Sequence, residues 1–283
     1  MLKTFRRTFI PAAWLGWQVE SNWTQPIAFF LFSTIEPVCG VMIIVFMFRA
    51  VSNVSTSAPL YAYIYVGNAL YIYVGAIVTG VSYSILDDRE RYRSLKYLYI
   101  APVSVPVYLF GRAVARFFTS TLAVAITLVA GRMLFKVPIY PLHVNWLMFL
   151  AALLLGLLCF AAIGIILGAW TLTIRSEPHF LGEAVSSAMY LFSGAIFPIT
   201  LLPAFLQPIG YIMPMTYWLE LQRRALLGSN LSAFPTLAGY SNAELFAVLA
   251  GLTGSFGVIA WIAFRFFDRM ARDRGMIDAQ SNF

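Results

Sequence analysis

The chain has 283 residues, of which 60% are hydrophobic and 11% are charged, and its mean hydropathy is +0.79. Soluble globular proteins carry about 45–50% apolar and about 25% charged residues, so this composition excludes a soluble enzyme domain, a disordered chain and a solvated repeat protein. It indicates a polytopic membrane protein. In such a protein, a net charge of +7 is explained by Lys and Arg residues in the cytoplasmic connections, so it gives no reason to expect a nucleic-acid partner.

Six stretches of the sequence are long and apolar enough to cross a membrane as helices. A helix needs about 20 mostly apolar residues to span the hydrocarbon core, and these stretches lack the alternation of a barrel strand. Because backbone groups in lipid must hydrogen-bond within their own segment, we predict an all-α membrane protein with six transmembrane helices in a domain over 25–267. The predicted spans are 26–48, 60–85, 113–135, 146–173, 184–202 and 245–267.

The basic residues place both termini in the cytoplasm. Fourteen of the 19 Lys and Arg residues lie on one side of the predicted spans, and cytoplasmic connections collect such residues. Residues 1–24 have an apolar stripe at helical spacing and predict an interfacial amphipathic helix, which Pro11 bends or divides. Residues 268–283 form a cytoplasmic tail. The stripe consists of Leu2, Phe5, Phe9 and Ala13.

The segment between predicted spans 2 and 3 is the most strongly charged part of the chain. Acidic residues such as Asp88 precede basic residues such as Arg91, an order that suits a helix dipole and predicts a helix over 87–98. Pro102 and Pro106 are expected to end it. Such a helix either docks on a soluble partner or is a solvated loop that only sets topology, and the residues leave both alternatives open.

The segment between predicted spans 5 and 6, residues 203–240, is apolar but interrupted by prolines, which prevent a continuous span. It lies on the outer side of the predicted topology, where broken backbone is tolerated only against protein or water. We therefore expect a pair of short re-entrant helices. The prolines are Pro203, Pro208, Pro214 and Pro235.

Glu36 is the charged residue nearest the middle of predicted span 1. A carboxylate at mid-bilayer costs about 2.5–3.5 kcal/mol on insertion scales, so it should face a cavity or a partner. Glu36 is either a residue of a transport pathway or a buried structural group, and Asn68 in span 2 offers the same alternatives. Gly164 and Gly168 in span 4 have the GxxxG spacing that permits close helix contact.

Motifs for catalysis are missing from the sequence. It has no GxxxxGK[ST] loop for nucleotide phosphates and no HExxH, CxxC or GxSxG pattern. His143 and His179 fall on opposite sides of the predicted membrane, and Cys39 and Cys159 stand apart in apolar runs, so a metal site is not expected. We expect a chain that is not an enzyme, with no catalytic residues and no cofactor of its own.

Three local patterns, in this order and spacing, resemble those of type-2 ABC exporter permeases, which include drug, nodulation-factor and polysaccharide or lipid-linked glycan exporters. The charged segment is followed by Pro-Val-Ser at 102–104 and Gly-Arg at 111–112, like the family's entry to span 3. FSGAIFPITLLP at 192–203 resembles the family's FxSGxxFPxxxLP ending of span 5. MPMTYWLELQR at 213–223 resembles the LPxTxxxxxxR stretch that follows. With the predicted topology, the resemblance covers nearly the whole chain.

The resemblance implies roles for particular residues. The helix over 87–98 would be the coupling helix that sits in a groove of an ATPase, and the loop 175–179 would be a smaller contact. Spans 1, 2 and 5 would line the substrate pathway, and the re-entrant segment would close its outer end. The implied ATPase-coupling residues are Asp88, Arg89, Glu90, Arg91, Arg93, Leu95 and Lys96. The pathway candidates are Glu36, Asn68, Tyr65, Ser193 and Phe197. The gate candidates are Pro198, Pro203, Pro214, Glu220 and Arg223.

The expected function is that of a transmembrane permease subunit of an ATP-driven exporter in a bacterial or archaeal cytoplasmic membrane. The resemblance implies a dimer with a second copy or a close paralogue, served by two ABC ATPase subunits that hold ATP and magnesium. Membrane lipids are the other expected partner. An aromatic, mostly uncharged pathway favours an amphipathic, lipid-like, glycan-linked or drug-like substrate.

Two alternatives need no ATPase. A secondary transporter or channel is the first, although the two halves of the chain show no internal repeat of the kind many transporters have. A membrane enzyme acting on lipids is the second, and it would need a cluster of catalytic side chains at one face, which the sequence does not offer.

Overall fold

A computed structural model describes residues 2–21, 35, 38–43, 46–47, 59–174, 179–228 and 237–276, and this part of the chain contains helices and no strand. The all-α prediction is therefore confirmed for the described residues. The helices are α1 Leu2–Ser21, α2 Pro59–Leu86, α3 Leu95–Ile100, α4 Val105–Phe135, α5 Trp146–Thr171, α6 His179–Phe192, α7 Gln207–Ile212, α8 Pro214–Leu227 and α9 Asn242–Asp273.

Four helices in the described ranges, α2, α4, α5 and α9, are long and apolar enough to cross a membrane. They correspond to predicted spans 2, 3, 4 and 6. Each has at least 26 residues, which at about 1.5 Å per residue exceeds the hydrocarbon thickness of about 30 Å. Most of predicted span 1, including Glu36, lies outside the described residues.

The centre of the bundle is formed by α2 and α5. α2 packs against α4, α5, α6 and α8, while α4 and α9 expose most of their surface. A Cβ added at Gly164 of α5 would lie 2.8 Å from Cβ of Val81, and one at Gly168 would lie 3.2 Å from Cδ1 of Ile85. The close helix contact expected from this glycine spacing is therefore confirmed.

α4 begins at Val105, eight residues before the predicted start of span 3 at Ala113. The expectation that Pro106 ends a helix is wrong, because Pro106 occupies the first turn of α4, where the missing N–H of proline costs nothing. Arg112 and Arg116 consequently lie within the helix.

α6 ends at Phe192, although span 5 was predicted to continue to residue 202. Its 14 residues cover about 21 Å, which is less than a bilayer core. The helix stops because Gly194 has a φ of +79°, outside the helical region, and a 3-10 turn Ile199–Leu201 follows. The apolar composition of the segment does not predict this change in backbone conformation.

α1 runs unbroken through Pro11, so of the two expected effects of this proline, a bend or a division of the helix, the division does not occur. The face of α1 that packs on α4 combines the small residues Ala12 and Gly16 with Phe9, whose ring centroid lies 5.7 Å from that of Phe110. A Cβ added at Gly111 of α4 would lie 2.7 Å from Cβ of Ala12. Pro11 lies on the exposed side, and Phe5 of the predicted apolar stripe is 45% exposed. The predicted apolar stripe is therefore divided, with Phe9 packed against α4 and Phe5 exposed.

Candidate functional site

The connection between α2 and α4 consists of a π-helical turn and the short helix α3, separated by a break at Arg93. The turn Asp87–Arg91 continues α2, and the backbone N–H of Tyr92 donates to the Asp87 carbonyl at 2.8 Å. Arg93 has a φ of 50°, in the left-handed region that interrupts a helix. The prediction of one helix over 87–98 is therefore wrong, and the acidic residues stand at the C-terminal end of α2.

Asp88 and Arg89 hold this connection against two long helices. Both side chains are buried. The Asp88 carboxylate accepts a hydrogen bond from the Tyr108 hydroxyl of α4 at 2.8 Å. The Arg89 guanidinium donates to the carbonyls of Thr171 and Ile174, each at 3.2 Å, at the end of α5 where carbonyls lack helical partners. The connection is thus fixed to α4 and to α5.

A third anchor joins α3 to α9. The Tyr99 hydroxyl donates to the Asp268 carboxylate at 2.7 Å, and Arg272 pairs with the same carboxylate at 3.1 Å. The Arg272 guanidinium lies 4.7 Å from the centroid of the Tyr99 ring. Burial and the neighbouring carboxylate raise the pKa of Tyr99, so its hydroxyl remains a donor at neutral pH.

The predicted coupling residues divide between two faces of this connection. Leu95 faces the bundle with Asp88 and Arg89, and Glu90 is half buried and pairs with Arg89 at 3.1 Å. The opposite face, which we call the basic–aromatic face, is exposed. It consists of Arg91, Tyr92, Arg93, Lys96, Tyr97 and Ile100.

Three members of the basic–aromatic face were not among the residues predicted for ATPase coupling. Tyr97 is 64% exposed and Ile100 is 80% exposed, although both are apolar, and Tyr92 is exposed beside them. The Lys96 ammonium lies 5.3 Å from the centroid of the Tyr97 ring. The signal in the sequence was the alternation of basic residues with tyrosines.

Charged side chains also join α1 to α4 at this end of the bundle. Arg116 pairs with Glu20 at 2.8 Å; burial raises the pKa of Glu20, and the positive charge of Arg116 opposes that shift. Arg112 is 2% exposed, and its Nε donates to the Ser84 hydroxyl at 3.2 Å. Both arginines belong to the 14 basic residues on the predicted cytoplasmic side, and their contacts with neighbouring helices were not predicted.

The predicted pathway residues of α2 lie on different sides of that helix. Asn68 is buried, its amide donates to the Ile64 carbonyl at 2.8 Å, and its oxygen accepts from the Tyr190 hydroxyl of α6. Tyr65 is buried against α4, where its hydroxyl donates to the Thr127 carbonyl at 2.7 Å. Asn68 therefore belongs to the α2–α6 contact, and Tyr65 belongs to the α2–α4 contact.

A tyrosine pair extends this contact between α2 and α6. The Tyr71 hydroxyl forms a hydrogen bond with the Ser186 hydroxyl at 2.7 Å, and the rings of Tyr71 and Tyr190 are 4.1 Å apart. Both tyrosines are only half buried. These residues were not among the candidates, although span 2 is visibly rich in tyrosine. Of the candidates after α6, Ser193 is buried and Phe197 is half buried.

At the opposite end of the bundle, Arg223 of α8 is buried among backbone carbonyls. Its guanidinium donates to the carbonyls of Tyr63 at 3.2 Å, Gly194 at 2.8 Å and Ala195 at 3.2 Å, and its carbon atom lies 3.5 Å from the centroid of the Tyr63 ring. A Cβ added at Gly67 would lie 2.0 Å from Nη2 of Arg223. Arg223 thus joins α8, α2 and the turn after α6.

The other gate candidates lie near this arginine but have different surroundings. Glu220 is buried and pairs with Arg224 at 3.0 Å, and Arg224 in turn donates to Asn242 at the start of α9 at 3.0 Å. Pro214 occupies the first turn of α8. Pro198 is buried just before the 3-10 turn, whereas Pro203 is exposed.

No His, Cys, Asp or Glu cluster suited to a metal ion occurs among the described residues.

Comparison with known families identifies the chain. The family model described as ABC-2 type transporter matches residues 13–227, from within α1 to the end of α8. A search of curated proteins finds no match. The matched region contains the α2–α4 connection and all three family-like patterns, and the chain therefore belongs to the ABC-2 type transporter family, as a multi-pass membrane permease of an ABC transporter.

Proposed function

We propose that this permease is the transmembrane subunit of an ATP-driven exporter in a bacterial or archaeal cytoplasmic membrane. It crosses the membrane six times, with the short helix α6 and the turn after it as the fifth crossing. Both termini lie in the cytoplasm, and α7 and α8 are re-entrant helices at the outer end. Its cargo is amphipathic: lipid-like, glycan-linked or drug-like. Family membership and four helices of spanning length support the proposal, and the uneven distribution of Lys and Arg supports the orientation.

The permease acts as a dimer with a second copy or a close paralogue, and two ABC ATPase subunits bind its cytoplasmic side. Those subunits hold ATP and magnesium, and this chain has no catalytic role. Permeases of this family generally work with an ATPase partner. The observation that carries the proposal is the basic–aromatic face, because exposed arginine and tyrosine side chains are enriched where proteins bind one another.

The α2–α4 connection is built to transmit movement of a bound ATPase into the membrane. A partner shifts a conformational equilibrium only through contacts that differ between the two states. The connection is anchored to α4 by Asp88, to α5 by Arg89 and to α9 by Tyr99. A displacement of its exposed face therefore acts on three long helices together.

The substrate pathway runs along the α2–α6 contact and is completed by the second permease copy. Tyr71 and Tyr190 are half buried there, with Ser186 and Asn68 supplying hydrogen-bonding groups. Tyrosine rings present apolar faces and a polar hydroxyl, which suits an amphipathic cargo. Glu36 of the first span remains a candidate for the same pathway.

Charge reversal on the basic–aromatic face tests the proposal. In the reconstituted complex, Arg91→Glu together with Arg93→Glu should lower substrate-stimulated ATP hydrolysis at least about tenfold, because like charges across an interface cost several kcal/mol. Arg6→Glu with Arg7→Glu is the matched control, since both arginines are exposed on α1. If the double variant shows the same substrate-stimulated ATP hydrolysis as wild type, the α2–α4 connection is not part of the ATPase contact.

Purification from the native membrane separates this function from an ATPase-independent one. An ATPase subunit that remains bound to the solubilised permease supports the exporter. A permease without an ATPase that transports in response to an ion gradient contradicts it, and identifies a secondary transporter or channel.

A further inference from the structure

The last turns of α9 carry an open groove that none of the functions above uses. Its volume is about 600 Å³. Its apolar lining is exposed: Trp261 is 56% exposed and Phe266 is 61% exposed. The groove is also lined by Arg265, Arg269, Met270 and Arg274. Aromatic and basic side chains therefore follow one another along one face of α9.

The length of α9 places this groove where membrane lipids have their headgroups. The helix has 32 residues, or about 48 Å, against a hydrocarbon core of about 30 Å. With Asn242 at the outer surface, Trp261 lies about 28 Å along the axis and Arg265 about 35 Å, at the opposite membrane interface. Trp and Arg are the residues typical of that depth.

The arginines of the groove are available to a ligand. The Arg265 guanidinium lies 3.9 Å from the centroid of the Trp261 ring, which holds it beside the apolar lining. Arg269 makes no hydrogen bond or ion pair within the described ranges, whereas the neighbouring Arg272 is engaged by Asp268. Arg265, Arg269 and Arg274 line the groove together with one acidic residue, Asp273, so the groove has an excess of positive charge.

We propose that this groove binds an anionic phospholipid of the adjacent leaflet. The lipid phosphate lies between Arg265 and Arg269, whose planar guanidinium groups donate to phosphate oxygens with matched geometry. The acyl chains lie against Trp261, Ile262 and Phe266, toward the hydrocarbon core. Clusters of Lys and Arg immediately cytoplasmic of a membrane-spanning helix attract anionic headgroups. The site is separate from the α2–α6 contact proposed for cargo.

Native mass spectrometry of the purified full-length permease tests the site. The detergent-solubilised protein is titrated with phosphatidylglycerol and, in parallel, with phosphatidylcholine of the same acyl chains. Wild type should retain phosphatidylglycerol selectively. Arg265→Gln with Arg269→Gln should weaken that retention at least about 25-fold, because each substitution removes charge-assisted hydrogen bonds to the phosphate that contribute at least about fivefold.

Arg6→Gln with Arg7→Gln is the control, because it removes the same charge from exposed arginines of α1 at the same end of the bundle. It should retain the lipid as wild type does. Equal losses in the two double variants would show general attraction and overturn the site, as would equal retention of the two lipids. Displacement of the lipid by glycerol 3-phosphate at the same concentration would identify a free-phosphate site and overturn the lipid assignment. The test needs no ATPase, so it stands or falls separately from the exporter function.

Discussion

Arg223 shows how residues far apart in the sequence define the end of the bundle opposite to α3. Its guanidinium occupies the space that Gly67 leaves beside α2, and three backbone carbonyls accept its hydrogen bonds. A buried charge of this kind is tolerated only when its donors are satisfied. Gly67 is therefore required by the arginine, and a side chain at this position displaces the guanidinium from its acceptors.

Gly67→Ala should destabilise the protein by about 1–3 kcal/mol or more, because the added Cβ overpacks a filled site and leaves hydrogen-bonding groups unpaired. Gly75→Ala is the matched control on the same helix, since its nearest neighbour would lie at 3.8 Å, an ordinary contact distance. Thermal unfolding of the purified variants in detergent measures the difference. Equal unfolding temperatures for the two would show that the fit around Arg223 is loose.

At the scale of elements, the short helix α3 owes its position to contacts with other helices. Its six residues are too few for a stable isolated helix. The hydrogen bond from Tyr99 to Asp268 and the stacked Arg272 attach it to α9. Movement of α3 is therefore expected to displace the C-terminal end of α9.

Tyr99→Phe should cost about 1.5–3 kcal/mol, the usual contribution of a hydrogen bond to a charged group. Tyr97→Phe is the control, because that ring is 64% exposed. The pKa of Tyr99 is raised above its ordinary value of 10.0, so at high pH the folded state keeps the tyrosine proton after the unfolded state has lost it. The contribution of Tyr99 to the free energy of unfolding is therefore constant below pH 10.0 and falls at higher pH. Unfolding temperatures at pH 7 and pH 8 should accordingly show the same difference between the variants. A Tyr99→Phe protein as stable as the control would mean that α3 is held by other contacts.

At the scale of the whole molecule, the two ends of the bundle are separated by the length of α4, about 46 Å. Ile100 of α3 lies at one end and is 80% exposed, and Leu142 lies in the turn after α4 and is 96% exposed. The proposed orientation places Ile100 in the cytoplasm and Leu142 outside.

Single cysteines at these positions test the orientation in a chain whose exposed Cys39 has been replaced. In right-side-out vesicles, Leu142→Cys should react with a membrane-impermeant maleimide at once, and Ile100→Cys only after the vesicles are opened. Native Cys159 is buried and serves as the unreactive control. Reaction of both new cysteines from the same side would contradict the topology.

Spans 2, 3, 4 and 6 could be predicted from the sequence because their apolar length is a local property, and so could the close contact at Gly164. The end of α6 could not, since it depends on the backbone conformation of Gly194 and not on apolarity. The break at Arg93 also depends on a local backbone conformation, which the sequence pattern does not predict. The site of Arg223 was the hardest feature to predict from the sequence, because its partner Tyr63 lies 160 residues earlier in the chain. Family-like patterns identified these segments but not their contacts.

The burial of α8 has a consequence for biogenesis. Every residue of this 14-residue helix except Arg224 is buried, and it includes the charged side chains of Glu220 and Arg223. Its surroundings come from both directions along the chain, with α2 and α5 translated earlier and α9 translated later. The ribosome therefore releases α8 before the helices that surround it are complete, and this end of the bundle reaches its final form only after α9 has been made.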